Sequence, residues 1–88
     1  MTHPLRVLVA DDDAAIRAVL RGILPADRYA VSEADSGEEA LRLFASLGAD
    51  LILSDLQMPG LGGLELLRRV RAMDDTVGFI ILTGAGTV

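Results

Sequence analysis

Leu51-Ile52-Leu53-Ser54-Asp55-Leu56-Gln57-Met58-Pro59-Gly60 opens as an apolar run and stops at a carboxylate. An unbroken Leu- and Ile-rich run bounded by turn formers reads as a strand buried on both faces. Pro59 cannot continue a strand ladder, and Gly60 tolerates unusual backbone angles, so the chain turns there. Asp55 therefore sits where a buried strand emerges. In open α/β sheets the crevice beyond the carboxyl ends of the strands is where ligands bind. Alone, the same Asp reads equally well as a local turn residue, and its surroundings decide between the two.

On the amino-terminal side, residues 5–10 (LRVLVA) form a first strand that runs into Asp11-Asp12-Asp13. Ile16, Val19, Leu20 and Ile23 then recur at the spacing of one helical face over 14–24. Gly22 weakens that helix slightly and Pro25 ends it. Residues 29–34 (YAVSEA) read as a second, more exposed strand, followed by the turn Asp35-Ser36-Gly37. Ser36 and Glu39 fit a reciprocal capping box at the start of a helix. Leu41 and Phe44 give that helix its apolar face, and Gly48 closes it.

Beyond the opening stretch, Gly62-Gly63 release the chain into a helix over 64–73. Leu64, Leu67 and Val70 line one face, widened by Leu66 and Met73, while Arg68, Arg69 and Arg71 form a solvated face. Asp74-Asp75 turn the chain into 78–82 (GFIIL), a fourth buried strand ending at Thr83-Gly84. Strands and helices thus alternate through β-α-β-α-β-α-β with short connections. Such alternation implies a parallel sheet with helices on both faces and right-handed crossovers.

The 88 residues suffice for one small domain. Half are apolar, yet only Tyr29, Phe44 and Phe79 are aromatic, so the core is aliphatic. The net charge of −5 argues against nucleic acid and anionic membrane surfaces as direct partners. All eight basic residues are arginine, and there is no cysteine, hence no disulfide framework or thiolate chemistry. His3 stands alone near the terminus and carries no pattern. With no membrane-length apolar run and no signal-peptide pattern, the expectation is a cytoplasmic protein.

Three strands end in polar residues: Asp11-Asp12 after the first, Asp55 after the third, Thr83 after the fourth. If the strand order is 2-1-3-4, the reversal between strands one and three brings Asp11, Asp12 and Asp55 together, with Thr83 beside them. Three such carboxylates repel one another unless a cation joins them. An all-oxygen site of this kind suits a hard cation, Mg²⁺ in particular. A carboxylate beside Mg²⁺ can act as a nucleophile toward phosphorus, and Thr83 can donate its hydroxyl to a phosphoryl oxygen. Asp12 or Asp13 can equally cap the first helix.

Together these residues resemble the receiver domain of two-component response regulators, over residues 7–87. The resemblance rests on Asp11-Asp12 after an apolar strand, Asp55 followed by Met58-Pro59, Gly63, and Thr83 after the fourth strand. It implies a doubly wound, flavodoxin-like α/β fold with strand order 2-1-3-4. It implies that Asp55 accepts a phosphoryl group from a sensor histidine kinase or phosphotransfer protein. Asp12 and Asp55 would bind Mg²⁺, with Asp11 binding directly or through water and Gln57 contributing its backbone carbonyl. Thr83 would bond the phosphoryl group and swing inward, with the Gly84 amide as a second donor.

Two departures stand out. Gly62 replaces an Asp common in the family, and the chain has no lysine where the family places one after a fifth strand. The expectation is a receiver domain over 1–88, incomplete at its carboxyl end. Its apolar, uncharged fourth strand would then be a sheet edge open to self-association, and the first helix would lose part of its cover. Two alternatives remain. A haloacid-dehalogenase-like phosphatase would use Asp11-Asp12-Asp13 and Thr83 but leaves Asp55 without a role and lacks its lysine. A non-phosphorylated receiver would act only as an interaction surface.

Overall fold

The computed structural model describes residues 3–82. Its elements are β1 (Leu5–Ala10), α1 (Ala14–Ile23), β2 (Tyr29–Ala34), α2 (Gly37–Leu47), β3 (Leu51–Asp55), α3 (Gly63–Met73) and β4 (Gly78–Leu82). Four strands form one parallel sheet in the order β2-β1-β3-β4. The reversal between β1 and β3 is the one the family resemblance implied.

β1 and β3 are the two strands with neighbours on both sides, and their composition reflects it. Val7, Leu8, Val9 and Ala10 are at most 2 % exposed, and Ile52 is fully buried. Side chains alternate across a strand, so β1 feeds two cores. Leu8 and Ala10 join Ala40 and Phe44 of α2 and Leu66 and Val70 of α3 on one face. Val7 and Val9 meet Leu20 and Leu24 on the other. Burying each of these aliphatic side chains contributes about 1.5–3 kcal/mol, enough to fix the two central strands and the residues at their ends.

Helix ends follow local chemistry. Asp13 caps α1 by accepting from the Ala15 amide at 2.9 Å. Ser36 caps α2, its Oγ accepting from the Glu39 amide at 3.1 Å. The reciprocal half of the expected capping box is absent among the described residues, because the Glu39 carboxylate turns to Arg42 at 2.6 Å instead. Gly48 ends α2 at φ 72°. Gly62 begins α3 with no side-chain cap, the consequence of having no side chain there.

The partial loss of cover expected for α1 is present: Ile16, Val19 and Ile23 are 41, 59 and 65 % exposed, while Leu20 packs against the core. Arg17 and Arg21 of the same helix pair with Glu33 of β2. Three other sequence expectations are corrected. In α3 the buried residues are Gly63, Leu66 and Val70, whereas Leu64 and Met73 face outward. Gly63 packs directly on the Asp55 carbonyl, and that contact sets the rotation of the helix. Arg71 is not purely solvated, since its Nη1 donates to the Val77 carbonyl and ties α3 to the start of β4. Finally, β4 is not a fully buried strand; it is the expected sheet edge, pairing among the described residues only with β3, and Ile80 is half exposed.

Candidate functional site

The carboxyl ends of β1 and β3 meet at the sheet reversal. Asp11 follows Ala10 directly and is only 5 % exposed. Its amide donates to the Ala34 carbonyl at 3.1 Å, extending the β1–β2 ladder by one residue. Its Oδ1 accepts from the Asp13 amide at 2.9 Å, and its carbonyl accepts from Arg17 Nη1 at 2.6 Å. Asp11 is therefore held from three directions. Asp13 is taken up by the helix cap, which leaves the exposed Asp12 side chain free of that task.

Asp55 ends β3, half buried. Ser54 beneath it is fully buried and donates its hydroxyl to the Asp55 carbonyl at 2.9 Å. The chain then enters residues 56–62, a loop anchored to β4 by the Leu56 amide donating to the Leu82 carbonyl at 3.1 Å. Its far end is anchored by the Gly63 amide donating to the Leu56 carbonyl at 3.0 Å. A Cβ at Gly63 would fall on the Asp55 carbonyl oxygen, so glycine is required for α3 to start this close to the site.

Asp11, Asp12 and Asp55 each present a carboxylate oxygen within 4.8 Å of the others. No ion pair among the described residues reaches any of the three. Arg17, the nearest cation by bonding, spends one nitrogen on the Asp11 carbonyl and another on Glu33, not on these carboxylates. Burial pushes the Asp11 carboxyl above its ordinary range. The Asp13 amide opposes that shift, and the charges of Asp55, Asp12 and Asp13 add to it. An oxygen-only cluster with uncompensated negative charge has the donor chemistry a hard divalent cation requires.

Gln57 lies in the same loop with its side chain exposed, and no described hydrogen bond uses its carbonyl. Thr83 and Gly84 lie outside the described residues. Two contributors escaped sequence reasoning. Arg17 looks like any exposed helical arginine, and nothing at six residues' separation signals its bond to the Asp11 carbonyl. Glu38 accepts from the Leu61 amide at 3.1 Å across 23 residues of sequence, a contact only the fold creates.

A doubly wound parallel sheet with three carboxylates clustered at its topological switch point defines an α/β domain whose ligand crevice is acidic. Comparison with known proteins narrows the class. The family model of the response regulator receiver domain matches residues 7–88. Response regulator MprA of Mycolicibacterium vanbaalenii is 42 % identical over 85 residues, covering 97 % of this chain and 37 % of the relative. Transcriptional regulatory protein ResD of Bacillus subtilis is also 42 % identical over 85 residues, covering 97 % and 35 %. The chain thus spans little more than a third of the curated relatives it matches.

Among solved structures, chemotaxis protein CheY4 of Vibrio cholerae superposes with a TM-score of 0.87 at 30 % identity, over 97 % of this chain and 72 % of that one. Response regulator TrrA of Thermotoga maritima, solved in complex with Mg²⁺-BeF, superposes with a TM-score of 0.82 at 38 % identity, over 88 % and 67 %. The chain belongs to the receiver domain family of two-component response regulators. Neither the family match nor these relatives support the phosphatase alternative.

Proposed function

We propose that this receiver domain takes a phosphoryl group onto Asp55 from a phosphohistidine of a sensor histidine kinase or phosphotransfer protein. The observation that carries the reading is the convergence of Asp11, Asp12 and Asp55 within 4.8 Å at the sheet reversal. A carboxylate oxygen of Asp55 attacks phosphorus, the new P–O bond forms, and the P–N bond to the donor imidazole breaks with its electrons leaving on nitrogen. Asp11, Asp12, Asp55 and the Gln57 carbonyl would hold Mg²⁺, with Asp11 bonding directly or through water. When bound, Mg²⁺ supplies positive charge that offsets the carboxylates and the incoming phosphoryl oxygens.

Asp11 is fixed by its three backbone and cap bonds, so it contributes charge at a set position. Asp55 projects from a strand locked on both sides, which orients the nucleophile. Thr83 and the Gly84 amide are proposed as donors to the phosphoryl group. The chain would act as a cytoplasmic signalling phosphoacceptor and not as a turnover enzyme. The relative solved with Mg²⁺-BeF supports the choice of ion.

Two surfaces bear on partners. The edge of β4 left unpaired among the described residues and the exposed flank of α1 are where the fifth βα unit expected from the family resemblance would pack against the receiver domain of 1–88. The same apolar edge would let a second copy pair with it.

The test uses a small phosphodonor with Mg²⁺, read by intact mass. Wild type should gain one phosphoryl group and Asp55→Asn none. Mg²⁺ titration should show clear weakening in Asp12→Ala. Modification surviving in Asp55→Asn, or equal Mg²⁺ affinity in Asp12→Ala, would remove the assignment.

A further inference from the structure

The loop of residues 56–62 carries the Gln57 carbonyl and follows Asp55 directly, so its position governs the floor of the acidic site. Its two ends are anchored through Leu56. Its middle is held from below by Met58 in the core and from outside by the first turn of α2. Gly37 lies so close beneath Leu61 that a Cβ there would overlap the Leu61 carbonyl. One residue on, Glu38 Oε2 accepts from the Leu61 amide at 3.1 Å. Among the described residues that carboxylate is the only acceptor for this amide. Gly60 has φ 76°, and a Cβ on it would come within 2.6 Å of the same Oε2. The Glu38 carboxylate therefore occupies the space that glycine leaves and satisfies the amide next to it.

The structure assigns Glu38 as a positioning residue, a tether through which the start of α2 sets the loop that borders the phosphoacceptor. The assignment rests on the reading of Asp11, Asp12 and Asp55 as the phosphoacceptor site. Glu38 touches none of the three and takes no part in the chemistry. An acidic residue in the first turn of a helix also favours the helix dipole, and that simpler role predicts a different pattern in variants. Glu38→Gln keeps an acceptor oxygen at the same reach but loses the charge. Glu38→Ala loses both. If only the dipole matters, the two variants behave alike. If the tether matters, glutamine rescues what alanine loses.

The experiment follows the Leu61 amide by hydrogen exchange in metal-free full chain, then titrates Mg²⁺ while monitoring amide shifts near Asp55. In Glu38→Ala the Leu61 amide should exchange faster, and Mg²⁺ should bind roughly tenfold more weakly, the low end of the effect of losing a partner that orients a metal site. In Glu38→Gln both quantities should stay within about twofold of wild type. Equal behaviour of the two variants, or wild-type values in Glu38→Ala, overturns the tether while the site reading stands. If wild type itself shows no Mg²⁺-dependent shift, the site reading fails, and the Leu61 exchange rate alone decides the tether: faster exchange in Glu38→Ala upholds it, unchanged exchange overturns it.

Discussion

Replacing Asp11 by Asn should make the metal-free domain more stable. Asp11 is buried, its carboxylate lies within 4.8 Å of those of Asp12 and Asp55, and among the described residues no cation pairs with any of them. At 4.8 Å two unit charges repel by about 1 kcal/mol in water and about 3.5 kcal/mol at the effective dielectric of a protein surface. Asp12 is exposed and Asp55 half buried, so the gain on removing the Asp11 charge is about 1–3 kcal/mol in total. Asparagine keeps Oδ1 to accept the Asp13 amide, so the bond that orders the strand exit survives. In a domain of this length each kcal/mol moves Tm by about 4–8 °C.

The pH dependence gives the sign a second check. Burial holds the folded Asp11 carboxyl above its ordinary range, so the folded state binds the proton more tightly than the unfolded chain does. Wild-type stability then falls as pH rises from the ordinary Asp value through the raised folded one, and the penalty is complete above the raised value. The advantage of Asp11→Asn should grow with pH through that window and vanish in acid below the ordinary Asp range. Adding Mg²⁺ should stabilise wild type by mass action and close the gap from the other side. Thermal melts by circular dichroism, with chelator and with Mg²⁺, measure all three. A variant that melts at or below wild type at neutral pH without metal would refute the repulsion argument.

Other outcomes follow from single contacts. Gly63→Ala should destabilise by about 1–3 kcal/mol, because its Cβ meets the Asp55 carbonyl; Gly22→Ala, with open space around it, should instead gain about 0.5–1 kcal/mol, and denaturant melts compare the pair. Arg21 above all, with Arg17, holds the Glu33 carboxyl below its usual range against a smaller burial effect. That stability is present above the ordinary glutamate value and lost as pH falls through the depressed one, so Glu33→Gln should cost about 0.2–1 kcal/mol per pair near neutrality and nothing in strong acid. The 88-residue chain should scatter light as more than a monomer at high concentration, and Ile80→Lys, placing a charge on the exposed β4 edge, should reduce the apparent mass; a wild-type monomer throughout would remove the edge argument.

Element order and bounds were legible because β1, β3 and β4 are apolar runs with a polar stop, while β2 shows as a more exposed stretch before a turn. The site was legible for the same reason: Asp11, Asp12 and Asp55 are those stops, and sheet topology does the rest. Periodicity was weaker on what covers a face. Ile16, Val19 and Ile23 recur at helical spacing, yet they stand outside the core, since spacing states that a face exists and not which neighbour meets it. Leu64 and Leu66 both fit a stripe in α3. The choice fell to the Gly63 contact with Asp55, a backbone approach that leaves no mark in side-chain pattern. Glu39 matched a capping box, but Arg42 three residues on offers a full charge within reach and outcompetes a neutral amide.

The site joins opposite demands. The carboxylates must lie close enough to share a cation, and closeness without one is unfavourable. Placing Asp11 and Asp55 on the two strands with neighbours on both sides meets that demand, because those strands hold the cores on both faces and resist the repulsion at their ends. The loop of residues 56–62 is held by Met58 in the core, by Leu61 packed against it, and by hydrogen bonds with Leu82, Gly63 and Glu38. Through that loop the end of β3 is joined to the end of β4 at Leu82 and to the start of α2 at the exposed Glu38.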